Sequence, residues 1–280
     1  SFLNSLIFFK YFAVKTIGSF SLYNPTEKFG GIILNYKIIV FCFFYGNAFK
    51  RYTIVRIIAV SKTCHEIVQG DKTGDTPLSD TVKAYIKEKY EKPGEVFLGV
   101  THRLDRPTTG VVLFARTSKA LTRLNAMFQS HELIQKTYWA IVATKSGKEE
   151  RENGQTVMLE HYLWRNEKQN KSFVVKPGTK DAKRAVLSYK IIAQSDRYTL
   201  LEINLETGRH HQIRCQLAAV GMPIKGDLKY GAKRSNADGG ISLHARKIEF
   251  VHPVSKQPIS ITAPVPQDVL WHLLENKIDR

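Results

Sequence analysis

From Thr53 onward, short runs of β-branched apolar residues alternate with stretches whose apolar positions fall three and four apart. The first pattern predicts strands, the second helices. Val96–Val100 and Val111–Ala115 read as buried strands. Further strands are predicted at Thr53–Val60, Lys136–Ala143, Gln155–Leu163, Ser172–Lys176, Arg184–Gln194, Tyr198–Leu205, Ile241–Phe250 and Pro258–Thr262. Helical spacing covers Ser79–Tyr90 and ends near Pro93-Gly94. A second helix opens with Thr117 or Ser118 as N-cap and puts Ala120, Leu121, Leu124, Met127 and Phe128 on one face. Thr207 can cap a third helix that runs through Leu217 and stops at Gly221. The last has Pro266 in its first turn and buries Leu270, Leu273 and Leu274. Runs of strands with a few interposed helices predict an α+β domain, a mainly antiparallel mixed sheet with flanking helices.

Residues 1–52 break this pattern. Ten of the fifteen Phe lie there, with Glu27 as the only acidic residue. The apolar run Ile32–Tyr45 is too short for a span and contains Asn35 and Lys37. Leu3–Phe9 lacks a basic flank and a cleavage site. The expected division is an atypical segment over 1–52, a strand-rich appendage or a mistranslated upstream stretch, and a catalytic domain over 53–280. No membrane association is expected.

Charge then narrows the partner. Lys and Arg total 42 against 25 Asp and Glu, a net charge of +17. Such a surplus suits a polyanion. Cys42, Cys64 and Cys215 are too few and scattered for a disulfide framework, and no paired spacing holds zinc. With no export signal, they point to a reducing, cytoplasmic setting.

Three stretches could carry chemistry. In His102-Arg103-Leu104-Asp105-Arg106-Pro107-Thr108-Thr109-Gly110, a loop between two buried strands is stiffened by Pro107 and turned by Gly110. Asp105 stands between cations that keep it ionised, so it can be a nucleophile or general base. It can equally be a turn-capping Asp paired with an arginine. In Thr207–Leu217, helical spacing would put His210 with Arg214 and His211 with Cys215. His210 and His211 would then point apart, which disfavours a metal site. The basic residues would bind phosphate or form a solvated face. In Lys136-Thr137-Tyr138-Trp139, strand alternation sets Tyr138 with Lys136 and against Trp139. Tyr138 is then a stacking platform for a base or a core aromatic.

Taken together, these stretches resemble the RluA-type RNA pseudouridine synthase family. His102-Arg103-Leu104-Asp105 with Thr108-Thr109-Gly110 is similar to that family's catalytic signature, Thr109 standing for the usual Ser. Lys136-x-Tyr138 is similar to its second motif, and Thr207-Gly208-Arg209 with His211-Gln212-Ile213-Arg214 to its third. Ile224-x-Gly226-Asp227, Tyr230-Gly231, Leu243-His244-Ala245 and His252-Pro253 resemble its structural C-terminal motifs. The match runs from Ile57 to Thr262. Ser61-Lys62-Thr63-Cys64-His65 departs from the usual Asn-Lys-Pro-x-Gly.

The resemblance implies the pseudouridine synthase catalytic fold and conversion of uridines in ribosomal or transfer RNA to pseudouridine. It implies Asp105 as catalyst, Tyr138 stacked on a flipped uracil, and Arg214 paired with Asp105. Arg103 would fill the space left by the extruded nucleotide. His102, Thr109, Lys136, Arg209, His211 and Gln212 would contact the substrate. No metal or organic cofactor and no obligatory protein partner are implied, and the chain is expected to act as a monomer. A glycosidase would need a second carboxylate, for which Asp227 is the candidate. A non-catalytic RNA-binding module would explain the charge and Tyr138, but not the set Asp105, Tyr138 and Arg214.

Overall fold

A computed structural model of the chain describes residues 38–40, 56–71, 73–130, 133–144, 154–253 and 256–278. In chain order these form β1 (Ile38–Val40), β2 (Ile57–Lys62), α1 (Leu78–Lys89), β3 (Gly99–Val100), β4 (Thr109–Ala115), α2 (Ser118–Ser130) and β5 (Ile134–Ala143). There follow β6 (Val157–Asn166), β7 (Lys171–Val175), β8 (Lys183–Gln194), β9 (Tyr198–Leu205), α3 (Gln212–Ala219) and a short 3₁₀ turn (Leu228–Tyr230). β10 (Leu243–Val251), β11 (Pro258–Thr262) and α4 (Val269–Ile278) complete the order. Apart from β1, residues 1–52 lie outside the described residues, as do Ile32–Lys37 and Phe41–Tyr45 of the apolar run.

The strands join in one sheet in the order β1-β2-β4-β10-β5-β9-β8-β6-β7, with β3 beside β4 and β11 beside β10. Every pairing is antiparallel except β4 with β10, so the sheet is mixed and mostly antiparallel. β2 and β4 are continuous apolar runs because helices cover both their faces. α2 packs against Ile57, Ala59, Val111 and Leu113, while α1 packs against Ile58, Val60, Val112 and Phe114. The same division recurs on β5. Ala140 and Val142 meet Ile213 and Leu217 of α3, whereas Trp139 and Ile141 meet Trp271 and Leu274 of α4. Tyr138 touches both the α1 cluster and the α3 cluster, at the seam between the two halves.

At the centre of the sheet, β10 changes partners. Its first residues run parallel to β4, with His244 opposite Thr109 and Ala245 opposite Gly110. A bulge between Ala245 and Lys247 follows, and the remainder pairs with β11. Gly110, expected to turn the chain, lies inside β4 at φ 118°, where a Cβ would meet the Ala245 carbonyl oxygen within 2.3 Å. Only glycine fits there.

Four local expectations are corrected. Strand β3 covers only Gly99–Val100 of the predicted Val96–Val100. α3 begins at Gln212, not after Thr207, because His211 takes a left-handed backbone (φ 51°) that breaks the helix. α4 begins at Val269, so Pro266 precedes it instead of standing in its first turn, and Asp268 caps it: its Oδ1 accepts from the amides of Leu270 and Trp271. Leu273 is 44% exposed, and Trp271 with Leu274 fill the core instead.

Candidate active site

The loop from Thr101 to Thr108 leaves β3 and enters β4. Its backbone is fixed from beneath by one buried ammonium. Lys62 Nζ, at the end of β2, donates to the carbonyls of Thr63 (2.9 Å), Arg106 (2.8 Å) and Thr108 (2.7 Å). Burial lowers its pKa to about 8, against a smaller pull upward from Glu66. The Thr108 amide closes a turn on the Asp105 carbonyl (3.0 Å), and the Pro107 carbonyl accepts from the Ile241 amide (3.1 Å). Outside, the Arg106 guanidinium bonds Asp75 (2.6 Å) and Thr73 (2.9 Å). Asp105 stands on a loop that has little freedom to move.

A second segment meets it from the far side of the sequence. Arg214, 5% exposed, forks onto Asp227 through Nε–Oδ2 (2.6 Å) and Nη2–Oδ1 (2.8 Å). Its Nη1 donates to Asp105 Oδ2 at 3.0 Å. Burial alone would make the guanidinium less basic, but the bonds and charges of Asp227, then of Asp105, outweigh it and raise its pKa. Its Cζ also lies 5.1 Å above the Tyr230 ring. Asp227 is 1% exposed and wholly engaged by Arg214. The second acid a glycosidase would need is therefore not among the residues that line the cleft beside Asp105.

His211 addresses the same oxygen, with Nε2 3.5 Å from Asp105 Oδ2. The Tyr230 hydroxyl accepts from the Ser172 amide (2.8 Å), which leaves its proton to donate to His211 Nδ1 (3.0 Å). The ring therefore carries its proton on Nε2, directed at Asp105. Burial, followed by the charge of Arg214, lowers the His211 pKa to about 2, so the ring is neutral. The left-handed backbone also overturns the expectation that His210 and His211 point apart: their rings stack with centroids 3.8 Å apart. His210 lies outside the helix, so the predicted shared faces of His210 with Arg214 and His211 with Cys215 do not form.

Both groups at Asp105 engage Oδ2, and no described residue donates to Oδ1. The Asp105 side chain is 30% exposed. It opens into a cleft lined by Arg103, Leu104, Thr108, Tyr138, Arg209, Ile213 and Leu243 among others. Tyr138 is half-buried at the cleft wall, and its desolvation followed by the charge of Asp105 pushes its phenol above the usual range, so it stays protonated. Arg103 and Arg209 are exposed at the rim.

Of the residues expected to contact substrate, Arg103, Arg209, His211 and Gln212 line this cleft. His102, Thr109 and Lys136 do not. The His102 ring stacks on Phe128 (4.6 Å), and its Nε2 accepts from the Leu113 amide (3.0 Å). Burial, followed by the charge of Lys136, lowers its pKa to about 3. Thr109 Oγ1 bonds His244 Nδ1 (2.8 Å). Lys136 is buried with Nζ 5.7 Å from the Phe128 ring centre. Gln212 is shared, since its Oε1 also accepts from the Thr207 hydroxyl and the Arg209 amide. Lys62 and the Ser172–Tyr230 pair escaped the sequence reading. The one available signal for Lys62 was a lysine closing a run, Ile57–Val60, that is apolar on both faces.

A carboxylate held by arginine beside a half-buried tyrosine, on motifs in this order, has a known setting. The sequence profile of the RNA pseudouridylate synthase family matches residues 56–219. The chain belongs to the RNA pseudouridylate synthase family. An RNA pseudouridine synthase of Bacillus subtilis is 32% identical over 182 residues, 64% of this chain and 55% of that protein. Ribosomal large subunit pseudouridine synthase D of Xylella fastidiosa is 34% identical over 184 residues, 61% of this chain and 52% of that one. The chain thus spans about half the length of the curated relatives it matches. Among solved structures, human RNA pseudouridylate synthase domain containing 4 superposes with a TM-score of 0.62 at 20% identity, covering 80% of this chain and 90% of that one. Human domain containing 1 gives 0.55, also at 20% identity, over 77% and 82%. These two share the pseudouridylate synthase fold with this member of the family.

Proposed function

We propose that the chain converts uridine in RNA to pseudouridine, with Asp105 as the catalytic residue. The observation that carries this reading is the asymmetry of the Asp105 carboxylate. Arg214 and His211 hold Oδ2, no described residue donates to Oδ1, and Asp105 lines a cleft that it shares with Tyr138. The reaction breaks the N1–C1′ bond, turns the uracil and joins C5 to C1′. The proton on C5 leaves and N1 gains one, so nothing is oxidised or reduced. Attack on C1′, attack on the base and removal of a ribose proton all require a free, ionised carboxylate oxygen.

The uridine must leave its stack, because a paired and stacked base hides its glycosidic bond. Tyr138 then offers its ring to the uracil, and a protonated phenol at the cleft wall supplies a hydrogen bond. Arg103 and Arg209 at the rim meet phosphates, and Arg103 fills the gap left by the flipped nucleotide in this reading. The surplus of positive charge adds affinity that depends on salt. Every group invoked comes from this chain, so the reading requires no partner subunit and no cofactor. Large-subunit ribosomal RNA is the substrate class to test first, since four of the matched relatives carry that substrate in their names. Transfer RNA is the second.

The test is release of tritium from RNA labelled at uridine C5. Wild-type protein should release it and leave pseudouridine in the RNA. Asp105→Asn should bind the same RNA and release under about one per cent as fast, a barrier increase of about 2.7 kcal/mol. RNA binding without tritium release by the wild type would identify a binding module instead.

A further inference from the structure

The cleft wall holds one buried hydroxyl without a partner. Thr108 is 2% exposed, and its Oγ1 makes no hydrogen bond. Its backbone is committed on both sides, the amide to the Asp105 carbonyl and the carbonyl to Lys62 Nζ. The backbone therefore cannot shift, and rotation about χ1 is the freedom left to the hydroxyl. Its neighbour Thr109, also buried, has its hydroxyl satisfied by His244. Gln216 Oε1 is also unpartnered, but its amide nitrogen holds the Leu159 and Ala185 carbonyls and it does not line the cleft. Buried polar atoms without partners are scarce in folded proteins, and each asks for a reason. Thr108 lines the same cleft as Asp105 and Tyr138.

We propose that Thr108 Oγ1 is a substrate contact, hydrogen-bonding the polar edge of the uracil. This rests on the functional reading above. Uracil presents O2, N3–H and O4 along one edge, and a hydroxyl can both donate and accept. The isomerisation requires C5 to take the place of N1. A half-turn of the ring about the line through N3 and C6 does this, and it exchanges O2 with O4 while N3 keeps its position. A hydroxyl facing that edge meets an equivalent atom before and after the turn. Thr108 thus retains the detached base in both orientations, a task suited to a group with no commitment inside the protein.

Thr108→Val keeps the side-chain shape and removes only the hydroxyl, and Thr108→Ser restores the oxygen. Melting temperature and single-turnover rate would be measured for both on a large-subunit ribosomal RNA transcript. Thr108→Val should melt at or above the wild-type temperature, because it deletes an unsatisfied polar atom. Its rate should fall about tenfold, the size of one hydrogen bond of about 1.4 kcal/mol. Thr108→Ser should recover to within about threefold of wild type, a loss under about 1 kcal/mol. Wild-type rates in Thr108→Val would overturn the assignment. So would a joint loss of rate and melting temperature that Ser does not rescue, since that marks a packing role. A wild-type protein that turns over neither ribosomal nor transfer RNA would overturn the functional reading itself, and this contact with it.

Discussion

The two segments that meet at Asp105 are immobilised in opposite ways. The Thr101–Thr108 loop is held through its backbone: Lys62 binds two of its carbonyls, and Asp105 and Thr108 close a turn. The Thr207–Arg214 segment is held through side chains, with Gln212 bracketing the turn, Tyr230 orienting His211, and Asp227 forking Arg214. A loop held by its carbonyls tolerates changes in its own side chains but depends on one distant lysine. A segment held by side chains is vulnerable at each of them. The first supplies the carboxylate proposed as catalyst, the second its electrostatic setting.

The largest effect should therefore come from the second segment. Arg214→Ala leaves Asp227 buried and unpaired, and such losses cost about 3–5 kcal/mol. A marked drop in melting temperature should accompany loss of activity by more than about a hundredfold. Arg214→Lys keeps the charge but not the fork, and should restore stability more than rate. Equal recovery of both would mean that the fork geometry has no bearing on Asp105.

Lys62→Met, a change outside both segments, should slow the reaction by about 10- to 100-fold, since several carbonyls lose their buried donor at about 1–3 kcal/mol each. The wild type should report the same anchor through pH. Below about pH 8 the ammonium has three protons for three carbonyls, and above it the neutral amine has two. Activity should fall as pH rises through about 8. Stability should move the other way for this group. Between about 8 and 10.5 the unfolded chain binds the proton that the folded one has lost, so the burial penalty is relieved. A rate profile flat to pH 9.5 in wild type would separate the anchor from catalysis.

The smallest effect belongs to Tyr230→Phe. It removes the hydroxyl that sets the His211 tautomer and leaves the Ser172 amide without its acceptor. A loss of about three- to tenfold in rate is expected, as for one neutral hydrogen bond. Because His211 is already neutral, the acid side of the pH profile should show no step near 6.5 in either protein. Such a step in wild type, absent from His211→Asn, would show that the ring titrates.

The sheet was readable where burial forces continuous apolar runs, as at Val111–Ala115, or where apolar residues recur steadily, as at Tyr198–Leu205. Motif order also indicated which carboxylate and which arginine to watch. Three features left no periodic trace. The break at His211 depends on a left-handed backbone that nothing in local propensity demands, so α3 was drawn too long. Lys62 and Arg106 lie 44 residues apart, and no window along the chain couples them. Asp227 was seen both as part of a structural motif and as a possible second acid, and only the fold turned it onto Arg214. His102, beside Asp105 in sequence, faces Phe128 and the β4 backbone because loop neighbours need not share a side.

The Arg214–Asp227 fork joins residues 13 apart, whereas the Arg214–Asp105 bond spans 109. During synthesis, the strands up to β9 emerge before either Arg214 or its clamp exists. Contacts of such range are the slow ones to form, and domains generally fold as units when the whole is available. Asp105 is therefore delivered early and clamped late: a nascent or truncated chain ending before Arg214 carries the carboxylate on its loop without its arginine, and one ending before Asp227 carries that arginine without the acid that holds it.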